Sequence, residues 1–209
     1  QKALDIVVEK SQKDPHPYLQ QIADGYINLG HMHRLTNLYN AAYDDYNKAR
    51  NILRTLVIQD SLQNSEHYIH CLYNLSNLCK EMKKHTEAEE CIDEAINYSR
   101  NLAETDAERH LFDLAHSLNI KAIILYEQDK FKEAEQNYLE ALEVRKKIVA
   151  DFGKQYSDRI AQILSNLGLL HCQTKKYELA EKEYLEAIEI YNQIITEYGL
   201  GRGGDIALT

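Results

Sequence analysis

Residues 178–188 read ELAEKEYLEAI, and this arrangement occurs three more times at a constant interval of 46 residues. Residues 132–142 read KEAEQNYLEAL, residues 86–96 read TEAEECIDEAI and residues 40–50 read NAAYDDYNKAR. Alanine occupies the third and tenth positions of every stretch, and the seventh position is tyrosine in all but residues 86–96. Several independent columns that share one period indicate an internal repeat.

A second set of columns lies upstream of each stretch. A column of small residues is preceded, four positions earlier, by a column of large apolar residues. Where two helices cross closely, a small residue lets their backbones approach while a neighbouring large side chain fills the groove. Each repeat therefore reads as a pair of packed helices. The small column is Gly30, Ser76, Ala122 and Gly168, and the large column is Tyr26, Leu72, Leu118 and Leu164.

Turn-forming residues are rare over most of the chain. Residues 18–198 contain no proline and only four glycines, which disfavours sandwiches, barrels and βαβ folds because these need Gly or Pro at many corners. In the last repeat the apolar spacing predicts helices over about 157–173 and 177–198, joined by the short polar connection 174–176. Such short connections make neighbouring helices antiparallel. The predicted fold class is all-α, a right-handed α-solenoid of antiparallel helix pairs.

The period also divides the chain. We expect residues 1–12 to form the second helix of a truncated preceding repeat, because Ala3 lies 46 residues before Ala49. Residues 199–209 are either a Gly-rich tail or the start of a further repeat, since Ile206 lies 46 residues after Ile160. The start at Gln1, without an initiator Met or a signal-peptide pattern, is that of a cut fragment. The four predicted repeats span residues 13–60, 61–104, 105–152 and 153–198.

This pattern resembles the tetratricopeptide repeat family over nearly the whole chain. The period is longer than is usual for that family, and the proline that commonly closes a repeat is absent. Both departures are similar to the longer repeats of kinesin light chain. The residues that carry the resemblance in the last repeat are Leu164, Leu167, Gly168, Ala180, Tyr184 and Ala187.

Composition limits the classes of partner. The formal net charge is −9 over 209 residues, which argues against nucleic acid or an anionic membrane as the main partner. No stretch approaches the roughly 20 apolar residues that a membrane span needs. The four cysteines have no CxxC spacing, so we expect reduced, partly buried thiols and a cytoplasmic location.

In such arrays the first helices line an inner, concave face. We expect a peptide or protein segment to bind there, through first-helix positions that the core does not use. Asparagine recurs in one such column, at Asn28, Asn74 and Asn166, and Asn119 lies one place off. An amide offers a donor and an acceptor, which suits the backbone of an extended peptide. The predicted binding residues are Asn28, His31, Arg34, His70, Tyr73, Asn74, Asn77, Lys80, His116, Asn119, Tyr126 and Asn166.

The resemblance implies the same use of this column, because kinesin light chain and similar families hold peptide main chain with asparagines at the matching position. The alternative is that these asparagines bond within or between repeats. Chaperone-binding relatives use a clamp of Lys, Asn and Arg that grips a terminal carboxylate. This clamp is not expected here, because the matching positions lack its Lys and Arg residues and hold Ile27, His31, Asn74, His116 and Ile120. The acidic stretches 87–94 and 178–186 read as solvated outer faces of second helices.

Catalytic and metal-binding motifs are not expected. His31 and His33 stand two apart on a helix and point to different faces, and His33 shares a packing column with His171. His67, His70 and Cys71 share a face but suggest no fourth metal ligand. Residues 201–204 lack the Lys-Ser/Thr ending of a phosphate loop. The sequence thus predicts no enzyme activity, no cofactor and no metal.

The repeat pattern and the composition favour one function and leave two alternatives. The favoured function is a non-catalytic module that binds an extended peptide or protein segment. One alternative is a structural scaffold that self-assembles through its exposed repeat ends as a homo-oligomer. The other is the sensory, peptide-receptor half of a larger regulator.

Overall fold

The computed structural model of the protein describes residues 18–59 and 61–198. The predicted helix within residues 1–12 and the segment 199–209 lie outside these ranges. The described residues form α-helices and one short 3-10 helix, with no strand among them. The α-helices are α1 (Leu19–Leu35), α2 (Tyr39–Gln59), α3 (Ser61–Glu81), α4 (His85–Ala103), α5 (Ala107–Glu127), α6 (Phe131–Phe152), α7 (Asp158–Gln173) and α8 (Tyr177–Tyr198).

Tertiary contacts divide the chain into two compact units, with the boundary in sequence after Thr105. In unit 1, α1 packs on α2, α3 packs on α4, and α2 packs on α3. In unit 2, α5 packs on α6, α7 packs on α8, and α6 packs on α7. Each unit is therefore a stack of two helix pairs. The all-α prediction is confirmed, and the predicted bounds of α7 and α8 agree with the structure to within one residue.

The alanine columns form the interface inside each helix pair. All eight alanines are at most 2% exposed, as the predicted close approach of the helices requires. The small-residue column faces the tyrosine column across the same interface. A Cβ built on Gly30 would lie 2.8 Å from the ring of Tyr46, and one on Gly168 would lie 2.8 Å from the ring of Tyr184. The alanines are Ala42, Ala49, Ala88, Ala95, Ala134, Ala141, Ala180 and Ala187.

The turn inside every helix pair contains one residue with left-handed backbone geometry. These residues are spaced by 46 and have φ near 60°, although none is glycine: Asn37, Lys83, Asp129 and Lys175. In each turn the next residue donates its N–H to a carbonyl five residues earlier, for example Lys176 to His171 at 2.8 Å. This geometry closes the first helix in the manner of a Schellman motif. Asn37 and Asp129 belong to residue types that tolerate left-handed geometry, whereas Lys83 and Lys175 adopt it without that preference.

The packing column that contains His33 is more polar than the sequence suggested. His33 Nδ1 lies 2.7 Å from Asp45 Oδ2, and His171 Nδ1 lies 2.7 Å from Glu183 Oε2. The two pairs are related by exactly three periods. Each pair connects a first helix to its own second helix through a hydrogen bond that the imidazole nitrogen donates and the carboxylate accepts.

Candidate functional site

The twelve predicted binding residues all lie on first helices, α1 and α3 in unit 1 and α5 and α7 in unit 2. We call the surface that these residues form on each unit the first-helix face of that unit. Four of them are exposed, namely Asn28, His31, His70 and His116. Tyr73 and Asn119 are buried, and the remaining six are half-buried: Arg34, Asn74, Asn77, Lys80, Tyr126 and Asn166.

In unit 1 an ion pair joins the two first helices. Arg34 donates to both carboxylate oxygens of Glu81, with Nη2–Oε1 at 2.8 Å and Nε–Oε2 at 3.0 Å. This bidentate geometry raises the pKa of the Arg34 guanidinium chiefly through the hydrogen bond to Glu81. Arg34 therefore contributes to this face as half of a structural pair between neighbouring repeats.

A second connection in unit 1 was not predicted. His67 Nδ1 lies 3.1 Å from Asp24 Oδ1, and His67 Nε2 lies 2.7 Å from Gln20 Nε2. A neutral imidazole protonated at Nδ1 satisfies both contacts, because Asp24 can only accept and the Gln20 amide can donate. His67 thus links α3 to α1.

Aromatic and amide groups occupy the middle of α3. The rings of His70 and Tyr73 are tilted at 34° with centroids 5.8 Å apart. Asn74 and Asn77 follow them on the same helix and are half-buried. Their amides provide donors and acceptors beside the exposed His70 ring, a combination that suits a peptide main chain.

In unit 2 the two asparagines of the first-helix face bond to each other. Asn166 Nδ2 donates to Asn119 Oδ1 at 3.2 Å, which connects α7 to α5. The sequence left inter-repeat bonding open as the alternative to peptide contact, and the structure shows that bonding for this pair. Farther along α5, Tyr126 packs edge-on against Phe131 of α6 with ring centroids 5.6 Å apart.

A common spacing underlies the contacts between first helices. Gln20 with His67, Arg34 with Glu81, and Asn119 with Asn166 are each 47 residues apart. Side chains of neighbouring first helices therefore come into contact where their positions differ by one period plus one residue. A search of the sequence for complementary polar pairs at this interval would have found all three contacts.

Two columns of equivalent positions on the first helices are polar or basic in unit 1 and mostly apolar in unit 2. In unit 1 one column holds His31 and Asn77, and the other holds Arg34 and Lys80. In unit 2 the equivalent positions, 92 residues later, are Ile123 and Leu169, and Tyr126 and Cys172. Leu169 is 50% exposed although it is a large apolar residue. Unit 1 thus presents polar and basic groups where unit 2 presents apolar ones.

Several carboxylates on second helices are structural, which corrects the expectation that these stretches are only solvated outer faces. Glu94 accepts hydrogen bonds from Arg50 at 2.5 Å and from Tyr68 at 2.6 Å. Glu87 accepts one from Tyr43 at 2.5 Å. The acidic stretch 87–94 is therefore partly committed to contacts between neighbouring helix pairs, because its side chains reach cations and hydroxyls of other helices.

The acidic stretch 178–186 needs the same correction at Glu183, which lies beside the almost fully buried side chain of His171. The Nδ1 atom of His171 contacts Glu183, and its Nε2 atom lies 3.0 Å from Glu135 Oε1. Glu135 also accepts from Lys176 Nζ at 2.8 Å. Burial raises the pKa of Glu183 above its ordinary value. Burial also opposes ionisation of Glu135, but hydrogen bonds from Lys176 and His171 outweigh it and lower the pKa of Glu135.

The cysteines are free thiols in packed surroundings. Burial raises the pKa of Cys71 and Cys79 to about 12 and that of Cys91 to about 11. At neutral pH these thiols are protonated and therefore poor nucleophiles. Within residues 18–59 and 61–198, no group of three His, Cys, Asp or Glu side chains is placed to hold a metal ion. Over the same residues, no helix has the length and apolar character required to cross a bilayer.

Comparison with solved structures shows what the fold is similar to. BtubC (BKLC) from P. vanneervenii superposes with a TM-score of 0.72 at 21% identity, covering 92% of this chain and 70% of that protein. The apo form of RapI gives 0.71 at 17% identity, with 95% and 65% covered. The Rap conjugation gene regulator of plasmid pLS20, solved in complex with the Phr* peptide, gives 0.62 at 18% identity, with 83% and 44% covered. At these identities the likeness concerns the fold.

Sequence comparison identifies the family. No curated protein matches the chain significantly. Family models described as tetratricopeptide repeat match residues 68–147 and residues 160–195, which together are more than half of the chain. These matches agree with the 46-residue helix pairs and with the structural likeness. The chain belongs to the tetratricopeptide repeat family, whose repeats generally serve as protein-interaction modules.

Proposed function

We propose that the protein is a non-catalytic interaction module that binds extended peptide segments on the first-helix faces of its units. The observation that carries the proposal is the recurrence of amide side chains on these faces, at Asn28 and Asn74 in unit 1 and at Asn119 and Asn166 in unit 2. Asparagine is a poor helix former, so its recurrence on the first helices favours a role that only an amide can fill.

The bond between Asn166 and Asn119 leaves hydrogen-bonding capacity on both side chains. An amide carries two N–H donors and an oxygen with two lone pairs, and the shared bond uses one donor of Asn166 and one lone pair of Asn119. The bond fixes the two amides beside each other before any ligand arrives. Pre-ordered donors and acceptors reduce the entropy cost of binding a flexible peptide.

The first-helix faces of the two units would select peptide segments with different side chains. Around Asn74, unit 1 offers His31, Asn77 and Lys80, which suit polar or acidic residues. Around Asn166, unit 2 offers Ile123 and Leu169, which suit apolar residues. The solved complex of the Rap regulator with the Phr* peptide shows a structurally similar chain with a bound peptide, and this supports a peptide as the ligand class.

The test uses a random peptide library displayed on phage as the probe. We expect selection on the protein to yield peptides whose affinity, measured by fluorescence anisotropy, falls at least about tenfold in the double variant Asn74→Ala with Asn166→Ala. The matched control is Asn40→Ala with Asn97→Ala, because these exposed asparagines lie on the second helices α2 and α4. The control should bind as the wild type does.

Two results would contradict this function. One is a set of selected peptides that bind both double variants equally well, which would place the peptide site elsewhere. The other is recovery of no peptide above background from repeated selections. Circular dichroism of each variant should match the wild type, so that a loss of affinity reports on the site and not on folding.

A further inference from the structure

The imidazole of His171 lies between two carboxylates inside unit 2. Its Nδ1 atom is 2.7 Å from Glu183 Oε2 on α8, and its Nε2 atom is 3.0 Å from Glu135 Oε1 on α6. The side chains of His171, Glu183 and Glu135 are 4%, 14% and 26% exposed. We call these three residues together with Lys176 the His171 cluster, and it joins α7 to both α6 and α8.

Each of the two contacts requires a hydrogen between the nitrogen and the oxygen. An ionised carboxylate can only accept a hydrogen bond, and a neutral imidazole donates from one nitrogen only. A neutral His171 between two ionised glutamates would therefore point the lone pair of one ring nitrogen at an anion. The two contacts need two hydrogens, which is one more than these three groups carry when the imidazole is neutral and both carboxyl groups are ionised.

The charge balance of the cluster favours this additional proton. Lys176 Nζ donates to Glu135 at 2.8 Å and supplies one positive charge. Lys176 and the additional proton together balance the two carboxylates, whereas without that proton one carboxylate has no counter-charge. Charge that is removed from water is costly unless it is paired. Burial raises the pKa of Glu183, which agrees with a carboxyl group that shares a proton with its neighbour.

The other titratable groups near Glu183 supply no such balance. Glu186 of α8 is a further anion, and its charge also raises the pKa of Glu183. Lys146 of α6 is 3.9 Å from Glu186, but its side chain is exposed, so solvent and salt weaken its effect. Burial raises the pKa of Tyr184, which hydrogen-bonds with Cys172, so this phenol is uncharged at neutral pH.

The equivalent positions of two other helix pairs do not need an additional proton. His33 Nδ1 contacts Asp45, and a neutral imidazole with its hydrogen on Nδ1 satisfies that contact. In the α5–α6 pair the two positions hold Leu125 and Asn137, neither of which is ionisable. These pairs therefore provide matched references for the His171 cluster.

We propose that the His171 cluster is a pH-sensitive link between the two helix pairs of unit 2, held together by one additional proton that His171 and Glu183 share. When this proton is lost, one of the two contacts loses its hydrogen and a carboxylate is left unbalanced. The packing of α7 and α8 on α6 then weakens. The unfolded chain releases the proton as an ordinary histidine does, near about pH 6.5. Above that pH folding takes up a proton, so the stability of the protein falls as the pH rises.

Urea denaturation at about pH 6.5 and about pH 8.5 tests the link. His171→Leu with Glu183→Asn introduces the residues of the α5–α6 pair and removes the shared proton. Between the two pH values we expect the folding equilibrium constant of the wild type to fall at least about fivefold more than that of this double variant. The matched control, His33→Leu with Asp45→Asn, makes the same exchange in unit 1 and should keep the pH dependence of the wild type.

The same pH dependence in the wild type and the His171 double variant would overturn the proposal, as would an equal loss of pH dependence in both double variants. Nuclear magnetic resonance of the wild type at neutral pH gives a readout that does not depend on the folding of any variant. We expect hydrogens on both ring nitrogens of His171 or a hydrogen on the carboxyl group of Glu183. A ring with a single hydrogen between two ionised glutamates would also overturn the proposal.

Discussion

The amide of Asn166 donates a hydrogen bond to the amide oxygen of Asn119 at 3.2 Å, and the two residues belong to neighbouring repeats of unit 2. The column that was expected to hold a peptide therefore also joins two first helices. The two roles are compatible, because each asparagine retains groups that the bond does not use. Stability and binding can then be separated by experiment.

Loss of this bond should lower the stability of the protein. Asn166→Ala leaves Asn119 Oδ1 without its donor at a buried position, which should reduce the free energy of unfolding by about 1 kcal/mol. Urea denaturation followed by circular dichroism measures it. The control is Asn28→Ala, an exposed member of the same column, for which we expect almost no change. Equal effects of the two substitutions would contradict a structural role for the pair.

The two glycines of the small-residue column should differ in their tolerance of a methyl group. Gly30→Ala would drive a Cβ into the ring of Tyr46, which is fully buried and cannot move, so we expect a loss of about 1–2 kcal/mol in unfolding free energy. Gly168→Ala meets Tyr184, which is half-buried and can shift. Its loss should be smaller because the gain in helix propensity offsets it. Thermal melts of both variants test the order.

The left-handed turn residues predict a stabilising substitution. Lys175 has φ of 60°, whereas the equivalent Asn37 is of a type that tolerates this geometry. Lys175→Asn should therefore raise the free energy of unfolding by about 0.5 kcal/mol, and Asn37→Lys should lower it by a similar amount. Chemical denaturation midpoints measure both. If both variants moved in the same direction, the turn geometry would not be the cause.

The residues that another repeat carries at these positions should be able to replace the hydrogen-bonded pair of His171 and Glu183. His171→Leu leaves Glu183 buried without its partner and should cost about 3 kcal/mol. In the preceding repeat the equivalent positions hold Leu125 and Asn137. The double variant His171→Leu with Glu183→Asn should therefore regain most of the loss. Failure of the second substitution to restore stability would show that other contacts of His171 dominate.

Glu135 and Glu183, the two glutamates that contact His171, should affect the stability of the protein at acid pH in opposite directions. The lowered pKa of Glu135 means that its ionised form stabilises the fold above about pH 4.3, and that this contribution disappears as the pH falls through the folded pKa. Glu135→Gln should flatten the fall in melting temperature between about pH 5 and pH 3. Glu183 has a raised pKa, so Glu183→Gln should steepen that fall. Melting curves across this range compare the three proteins.

Much of the fold was predictable because packing between helices imposes a strict period. The alanine columns must hold small residues for the helices to approach closely, so their spacing identifies the helix interface from the sequence alone. The placement of the candidate site on first helices followed from the same register. The contacts at 47-residue spacing were missed, because the offset between neighbouring first helices depends on how the pairs stack.

The sequence by itself determined the helix pairs, the bounds of α7 and α8, and the resemblance to the family, since the periodicity and the small-residue columns can be read directly from the chain. Tertiary structure decided which polar groups meet. Asn119 and Asn166, His67 and Asp24, and Glu94 and Arg50 are far apart in sequence and come together only when helix pairs stack. It also decided that Leu142 of α6 is buried, because burial of an apolar position depends on whether another helix packs on it.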